Sequence, residues 1–327
     1  MPVRDAAATV GEALASVLAQ TLADLEVVAV DDGSADATPA ILARAAATDP
    51  RVRVLARPPR GIATSLNDGL AACRAPLVAR MDADDVSLPE RLAAQVDLLD
   101  ARPDLAAVAC LVEIVAPDGL TDGMRAYEAW LNGLVTPEAI DREMYVESPL
   151  PHPATTARRA ALLAAGGWRD GPFPEDYDLW LRLHASGARF AKVPEVHLRW
   201  RDGGRRLSRT DPRYSPAAFR ACKAEHLAAG FLAGHRAVQV CGAGRDAKAW
   251  GRVLATRGVR VIRWFEVDPR KVGQTVAGAP VLPWPPGPDH RDVPLLAAVG
   301  RPAAHPRIRA DLAAAGWREA LDWRLVQ

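Results

Sequence analysis

Short apolar runs alternate with amphipathic segments along the first part of the chain. The apolar runs predict buried strands at 25–30, 52–55, 76–81 and 106–115. The segments between them carry apolar residues at helical spacing and predict helices at 10–18, from Thr38 onward, at 61–73 and at 89–99. Strands that alternate with helices of this length indicate an α/β fold with a doubly wound, mostly parallel sheet.

The regular pattern ends after residue 116. The segment 117–149 is irregular and polar, and it predicts no element. Beyond it the pattern predicts a helix from 174, a strand at 196–200, a helix at 216–232 and a strand at 237–241. We therefore predict two domains, residues 1–233 with a helical connector at 213–233, and a smaller α/β domain at 234–327.

Acidic residues follow two of the predicted strands. Asp31 and Asp32 end one strand, and the tetrad 82–85, which reads Asp-Ala-Asp-Asp, follows another. Clustered carboxylates raise one another's pKa unless a cation lies among them, and Mg²⁺ prefers carboxylates together with phosphate oxygens. An acidic loop with helix-capping aspartates is the alternative. Because ligands bind at the carboxyl ends of parallel strands, two acidic strand ends on one rim favour a metal–diphosphate site.

Two further groups of residues allow two interpretations each. Glu175, Asp176 and Asp178 open a predicted helix, where the helix dipole stabilises acids by roughly 0.3–1 kcal/mol each, so capping alone explains them. They are also candidates for acid–base chemistry. His152 lies in a His-Pro element, and a lone histidine is either structural or part of a site.

A glycine-rich turn follows the strand at 237–241. Gly242 and Gly244 match G-x-G-x-x-[G/A], and Glu266 ends the next predicted strand about 20 residues later, as in dinucleotide-binding folds. The domain holds fewer than 100 residues, about half of a full dinucleotide fold. These residues therefore predict either a nucleotide site in a Rossmann-like domain or a module whose glycines only allow close helix–strand packing.

Composition excludes several classes of protein. The net charge is +1, which gives no field for nucleic acid or an anionic membrane. The four cysteines form no CxxC pair, so zinc and a disulfide framework are not expected. No apolar stretch reaches the roughly 18 residues of a membrane span. We expect a cytoplasmic protein with no transmembrane segment, with room for peripheral contact at the inner face of the membrane.

Six sequence elements in residues 1–210 together resemble the family 2 glycosyltransferases of the GT-A fold, in that family's order and spacing. The elements lie at 1–5, 30–34, 66–70, 80–85, 89–92 and 175–182. The likeness is greatest to bacterial members that build O-antigens, capsules and related polysaccharides. The part after residue 236 lies outside this resemblance and looks like the half-Rossmann modules fused to some bacterial proteins.

The resemblance implies an inverting, metal-dependent transfer of a sugar from a nucleoside-diphosphate-sugar to a hydroxyl of a saccharide or lipid-linked acceptor. Asp84 would coordinate Mg²⁺ or Mn²⁺ on the diphosphate, with Asp82 beside it near the ribose. Asp176 of the Glu175–Asp176 pair would be the catalytic base, and its position beside Glu175 should raise its pKa if it is partly buried.

The donor-binding residues follow from the same resemblance. Arg201 would lie on a mobile loop near the diphosphate, and Asp32 would bind the base or ribose. The full set implied for the donor is Pro2, Val3, Arg4, Asp31, Asp32, Asn67, Asp82, His152 and Arg201.

The chain departs from the family at its start. The family has a full apolar strand before the Pro-Val-Arg segment, and here only Met1, Pro2 and Val3 correspond to it. That strand would be central, between the strands that end at Asp31 and Asp82. Each backbone group left unpaired costs roughly 1–3 kcal/mol. We expect either a native start upstream of Met1 or a form that is poorly stable or inactive.

Two other functions remain open. A nucleotidylyltransferase also uses an α/β sheet with metal-bound carboxylates, but residues 4–8, Arg-Asp-Ala-Ala-Ala, lack its glycine-rich basic loop. The other is a non-catalytic sugar-nucleotide-binding or scaffold protein. The presence of Asp32, Asp82, Asp84 and Asp176 argues against loss of catalysis. The sequence does not identify the sugar, the base or the acceptor.

Overall fold

The computed structural model describes residues 1–203 and 206–327, and its contacts divide the chain into two units. Met1–Ile140 and Pro149–Asp211 form the first unit, and Asp141–Ser148 and Pro212–Gln327 form the second. Residues 204 and 205, in the basic segment 201–209 that follows the strand predicted at 196–200, lie outside the described residues.

The strands and helices up to residue 210 carry the candidate site. The strands are β1 Pro2–Val3, β2 Val27–Asp32, β3 Val52–Arg57, β4 Leu77–Ala79, β5 Val86–Ser87, β6 Leu105–Val115, β7 Thr156–Arg158 and β8 Arg189–Arg201. The helices are α1 Val10–Leu18, α2 Thr38–Thr48, α3 Ile62–Ala72, α4 Arg91–Ala101, α5 Asp122–Gly133, α6 Pro137–Glu143, α7 Arg159–Ala164, α8 Glu175–Ala185 and α9 Leu207–Thr210.

The first unit contains two sheets. One is parallel, with the order β1-β2-β3, and every residue of β2 is buried. The other has the order β4-β7-β6-β8-β5, in which β6 and β8 are parallel and the remaining pairs are antiparallel. The predicted α/β class is confirmed. The second sheet is mixed because β7 runs antiparallel between β4 and β6.

The two-residue strand β1 leaves a gap between the sheets. Its register joins Pro2 to Val30 and Val3 to Asp31 of β2, whereas β4 is paired with β7. Among the described residues, β1 is therefore not paired with β4, the strand before Asp82, although the sequence predicts that pairing. A cavity of about 640 Å³ lies there, lined in part by Met1 and by residues of β2 and β4. The expectation about the native start stays a prediction.

The second unit is built on a six-stranded sheet. Its order is β11-β12-β10-β9-β13-β14, parallel except for β11. The strands are β9 Ala237–Cys241, β10 Arg260–Glu266, β11 Thr275–Val276, β12 Ala279–Pro283, β13 Leu295–Ala297 and β14 Trp323–Leu325. The helices are α10 Pro216–Ala229, α11 Arg245–Ala255 and α12 His305–Ala314. The sheet is that of a smaller α/β domain, as the sequence predicts.

Helix α10 lies in the second unit, although the sequence predicts it as the connector of the first domain. Buried Lys223 on this helix donates to the carbonyl oxygens of Val146 and Val326, each at 3.0 Å. Both acceptors belong to the second unit, so the helix is held there by contacts distant in sequence.

None of the helices within residues 1–203 and 206–327 combines the length and the apolar composition that crossing a bilayer requires.

Candidate active site

The acidic tetrad follows β4 and brings three carboxylates together. Ligand oxygens of Asp82, Asp84 and Asp85 all lie within 4.8 Å of one another. Asp82 and Asp84 are partly exposed, whereas Asp85 is fully buried. A hard divalent cation prefers oxygen ligands of this kind, so the donor set fits Mg²⁺ or Mn²⁺.

The electrostatics of the tetrad also favour a cation. Burial and then the charge of Asp82 raise the pKa of Asp84, against the opposing charge of Arg206. Burial and the charges of Asp82 and Asp84 raise the pKa of Asp85 well above its usual value. Asp85 Oδ1 accepts from the Arg201 amide at 2.9 Å, while Oδ2 has no hydrogen-bond partner in the described chain. A bound cation would relieve this repulsion.

Arg80 precedes the tetrad and was not singled out by the sequence analysis. Its side chain is 7% exposed, and Nη1 forms an ion pair with Asp82 Oδ1. The sequence offers one signal for Arg80, which is a charged residue inside the apolar run 76–81. A buried arginine requires a carboxylate or carbonyl partner, so an arginine in a buried strand indicates such a partner nearby.

Asp31 and Asp32 at the end of β2 are both buried and hydrogen-bonded. Asp32 accepts from the amides of Arg60 at 2.8 Å and Gly61 at 2.9 Å, at the start of α3. Asp31 accepts from the Ser34 hydroxyl at 2.5 Å. These contacts give both carboxylates a structural role, and their contact with a base or ribose stays a prediction.

The segment before the first helix reaches the same strand end. Val3 is 2% exposed, and Arg4 Nη1 lies 3.7 Å from Asp32 Oδ2 while half of its side chain is exposed. The structure therefore brings Arg4 and Asp32 together, and the donor-binding role of Pro2, Val3 and Arg4 stays a prediction.

Helix α8 presents the acidic pair at its first turn. Burial and then the charge of Glu175 raise the pKa of Asp176 to about 7. Asp176 Oδ1 accepts from the Tyr177 amide at 2.7 Å. Asp178 instead forms an ion pair with Arg182 at 2.8 Å and fastens the helix internally. The structure thus pairs Asp178 within the helix, whereas the pKa of Asp176 is raised toward neutral pH.

His152, Trp168 and Asn67 form a chain of contacts in which His152 and Trp168 are buried and Asn67 is partly buried. The Trp168 indole donates to His152 Nε2 at 3.0 Å, so the proton of the neutral imidazole is on Nδ1. Burial and the charge of Arg80 lower the pKa of His152 well below its usual value. The Asn67 amide donates to the Trp168 carbonyl at 2.7 Å and accepts from the Trp168 amide at 2.9 Å. The Asn67 side chain is therefore hydrogen-bonded to the Trp168 backbone, and its direct contact with the sugar donor stays a prediction.

Arg201 is the last residue of strand β8 rather than part of a mobile loop. Its Nη1 donates to the Asp84 carbonyl at 3.2 Å and its Nη2 to Glu12 at 2.5 Å. The side chain and the amide therefore fasten β8 to the acidic tetrad. Arg206 is not among the residues predicted from the sequence. Its Cζ lies 4.5 Å from the centroid of the Trp200 ring, and its Nη1 lies 3.7 Å from Asp202 Oδ1.

The glycine turn of the second unit joins β9 to α11 as predicted. Gly242 has φ +98°, and an added Cβ there would lie 3.4 Å from the Ala298 carbonyl oxygen. Glu266 accepts from the Ala243 amide at 3.1 Å and from Lys271 at 3.0 Å. The carboxylate is thus engaged by its own unit, and a nucleotide site at Gly242, Gly244 and Glu266 stays a prediction.

Comparison with known proteins identifies the family. A sequence model of glycosyl transferase family 2 matches residues 1–165, half of the chain. The amylovoran biosynthesis glycosyltransferase AmsE of Erwinia amylovora is 30% identical over 193 residues, which cover 59% of this chain and 70% of AmsE. Other relatives are named for O-antigen biosynthesis.

Solved structures show the fold. S. aureus TarS in complex with UDP-GlcNAc has a TM-score of 0.58 at 17% identity, covering 78% of this chain and 70% of TarS. The mannosyltransferase PcManGT from Pyrobaculum calidifontis, in complex with GDP-Man and Mn²⁺, has a TM-score of 0.50 at 23% identity, covering 79% and 67%. At these identities the likeness shows a GT-A fold. The chain belongs to glycosyl transferase family 2 and is a glycosyltransferase.

Proposed function

We propose that the chain transfers a sugar from a nucleoside-diphosphate-sugar to a hydroxyl acceptor with inversion, and that it uses Mg²⁺ or Mn²⁺. The observation that carries this proposal is the pairing of a carboxylate cluster suited to a hard cation with an aspartate whose pKa is about 7. Two fold neighbours whose structures hold UDP-GlcNAc, or GDP-Man with Mn²⁺, support this donor class.

Asp82 and Asp84 would hold the metal, with Asp85 buried behind them. When bound, such an ion neutralises charge that develops on the leaving diphosphate. Arg201 holds the tetrad from the β8 side through the Asp84 carbonyl and the Asp85 carboxylate. These contacts hold the backbone of the tetrad and the Asp85 side chain in place from the β8 side.

Asp176 would act as the general base. A group with a pKa of about 7 is substantially ionised at neutral pH yet basic enough to take a proton from a hydroxyl in the transition state. The Tyr177 amide orients the carboxylate. As the acceptor oxygen bonds to the anomeric carbon, its proton passes to Asp176 and the bond to the diphosphate breaks on the opposite face. This direction of attack inverts the anomeric centre.

The remaining donor contacts belong to the same proposal. Pro2, Val3 and Arg4 would border the base with Asp31 and Asp32. His152, Asn67 and Arg201 would line or support the sugar and diphosphate side. We place the reaction in the predicted domain 1–233 and treat 234–327 as a separate module.

The acceptor would be a saccharide or a lipid-linked saccharide of a bacterial cell-surface polysaccharide. Support comes from AmsE and from the relatives named for O-antigen biosynthesis. A lipid-linked acceptor would bring the enzyme to the inner face of the membrane by peripheral contact.

Donor binding and turnover are tested separately. Thermal shift with UDP-, GDP- and dTDP-sugars, with and without Mn²⁺, should identify a donor whose stabilisation requires the metal. Asp84→Asn should abolish that metal-dependent shift. Asp176→Asn should keep it while turnover falls about 10²-fold or more, because a general base contributes 10²–10⁴-fold.

Asp97→Asn is the matched control, since Asp97 is exposed on α4. No stabilisation by any donor would favour the scaffold function. Release of pyrophosphate from a nucleoside triphosphate and a sugar phosphate would identify a nucleotidylyltransferase instead. Near wild-type turnover of Asp176→Asn would remove its role as base.

A further inference from the structure

Arg80 is a buried cation at the centre of the candidate site. Its side chain is 7% exposed, and Nε has no hydrogen-bond partner among residues 1–203 and 206–327. The guanidinium forms an ion pair with the Asp82 carboxylate. Burying an arginine whose Nε has no partner costs free energy, so packing alone does not account for this residue.

The main chain of Arg80 is fixed on both sides. Its amide donates to the Thr155 carbonyl at 2.8 Å, and its carbonyl accepts from Arg91 Nη2 at 2.7 Å. Arg91 is itself buried and lies 3.3 Å from Gln95 Oε1. The backbone of Arg80 is therefore fixed, and its buried guanidinium lies beside the Asp82 carboxylate.

The positive charge of Arg80 reaches carboxylates from two parts of the chain. It is paired with Asp82 of the tetrad. Burial lowers the pKa of Arg80, but the charge of Asp82 and then those of Asp85 and Glu175 raise it above its usual value. The charges that act on Asp176 include Glu175 on the same helix and Arg80, which directly follows β4. Glu175 raises the pKa of Asp176 and Arg80 lowers it.

We propose that Arg80 is a positioning residue of the active site, which fixes Asp82 and supplies positive charge between the acidic tetrad and the Glu175–Asp176 pair. Without it, the tetrad and the acidic pair repel one another across the site. Arg80 thereby sets how readily Asp176 ionises while it keeps the tetrad in the shape that a cation needs. This proposal rests on the proposed function for its catalytic meaning, but not for its electrostatic test.

Two variants separate charge from packing. Arg80→Met keeps much of the side-chain length and removes the charge, and Arg80→Lys keeps the charge. Loss of a nearby cation raises the pKa of a carboxyl by 1–3 units at close range, so we expect the Asp176 midpoint to rise by about one pH unit in Arg80→Met. In Arg80→Lys it should remain close to that of the wild type. A one-unit rise is a tenfold change in proton affinity.

The midpoint is measured by ¹³C NMR of aspartate carboxyl carbons in the unliganded protein, with Asp176→Asn providing the assignment. Arg158→Met is the matched control, because Arg158 donates to the carbonyls of Leu105 at 2.9 Å and Leu99 at 2.6 Å rather than to these acids. It should leave the midpoint unchanged. With an identified donor, kcat/KM of Arg80→Met at pH 7 should fall about fivefold, because the ionised fraction of Asp176 falls from about a half to about a tenth, and it should recover partly at pH 9.

An unchanged Asp176 midpoint in folded Arg80→Met overturns the proposal. If that variant does not fold, Asp82→Asn gives a second test. Removing the carboxylate that neutralises Arg80 should lower the Asp176 midpoint, and no change would also overturn the proposal. Failure of the proposed function can be told apart from failure of the Arg80 proposal, because the titration needs no donor.

Turnover retained in Asp176→Asn would remove the role of Asp176 as base, while a shifted Asp176 midpoint in Arg80→Met would still support the role of Arg80.

Discussion

At the scale of single residues, the structure separates acids and amides that look alike in the sequence. Asp178 is paired with Arg182, whereas Asp176 has a pKa of about 7. Asn67 is bound to the backbone of Trp168 across 101 positions of sequence. A residue's type thus indicates the chemistry it can perform, and its partners decide whether that chemistry remains available.

The turn beside Asn67 gives a prediction on stability. Gly167 has φ +68°, and an added Cβ would overlap Asn67 Oδ1. Gly167→Ala should therefore destabilise the protein by about 2–4 kcal/mol, from the left-handed backbone and the overlap together. The measurement is urea unfolding at constant pH.

Gly166→Ala is the control for that variant. Gly166 has φ +78°, but an added Cβ would meet nothing within 4 Å. It should cost only the backbone strain, about 1–2 kcal/mol. Equal losses of stability for the two variants would contradict the contact with Asn67.

At the scale of elements, polar side chains join helices to strands behind the site. Gln95 on α4 is fully buried and uses all of its amide capacity. It donates to the carbonyls of Ala154 at 2.7 Å and Val108 at 3.2 Å, and it accepts from Thr156 at 2.7 Å and Arg91 at 3.3 Å. This single side chain connects α4 with β6, with β7 and with the turn that follows His152.

Replacing Gln95 tests this connection. Gln95→Leu keeps a similar volume but leaves several buried polar groups without a partner, at about 1–3 kcal/mol each when unrelieved. We expect a loss of about 2–4 kcal/mol in the free energy of unfolding. Asp100→Ala, on the exposed side of the same helix, should change it by less than about 0.5 kcal/mol. A loss as small as that of the control would show that these contacts contribute little.

Local signals predicted elements better than their ends. The helix predicted from residue 10 is present as α1. Thr9 lies at its N-cap position, but the Thr9 side chain accepts no hydrogen bond from the first turn of the helix. Segment 117–149 predicted no element, yet it contains α5 and α6. Helix α5 begins at Asp122, and the Thr121 hydroxyl caps it by accepting from the Met124 amide. In a segment rich in polar residues, one capping threonine is hard to tell from the other polar side chains.

At the scale of the whole molecule, buried lysines link stability to pH. Burial lowers the pKa of Lys192 from 10.5 to about 7, and its Nζ donates to the Leu131 carbonyl at 2.5 Å. Between pH 7 and 10.5 the unfolded state binds more protons than the folded state, so stability rises with pH in this window. Below pH 7 both states are protonated and the full burial penalty remains. Lys223 in the second unit, with its pKa lowered to about 8, acts in the same direction.

Lys192→Met tests this linkage. It should be more stable than the wild type at pH 7, on the order of 2 kcal/mol after loss of the hydrogen bond to Leu131. The difference should fall to zero or below as the pH approaches 10. Urea unfolding at several pH values measures it, and Lys248→Met, at an exposed lysine on α11, should show no such pH dependence. A difference that stays constant with pH would show that Lys192 is not neutral in the fold.

The sequence by itself determined the α/β class, most of the strands of the first sheet, the acidic strand ends and the family, because these depend on local periodicity and on short motifs. Tertiary structure decided which groups are committed to one another, as for Asp32 with the start of α3 and α10 with the second unit. It also paired Arg80 with Asp82 and brought Glu175, 95 positions along the chain, close enough for its charge to act on Arg80. Periodicity sets which side chains are buried, but a buried charge is defined by its partners, and those come from distant parts of the sequence.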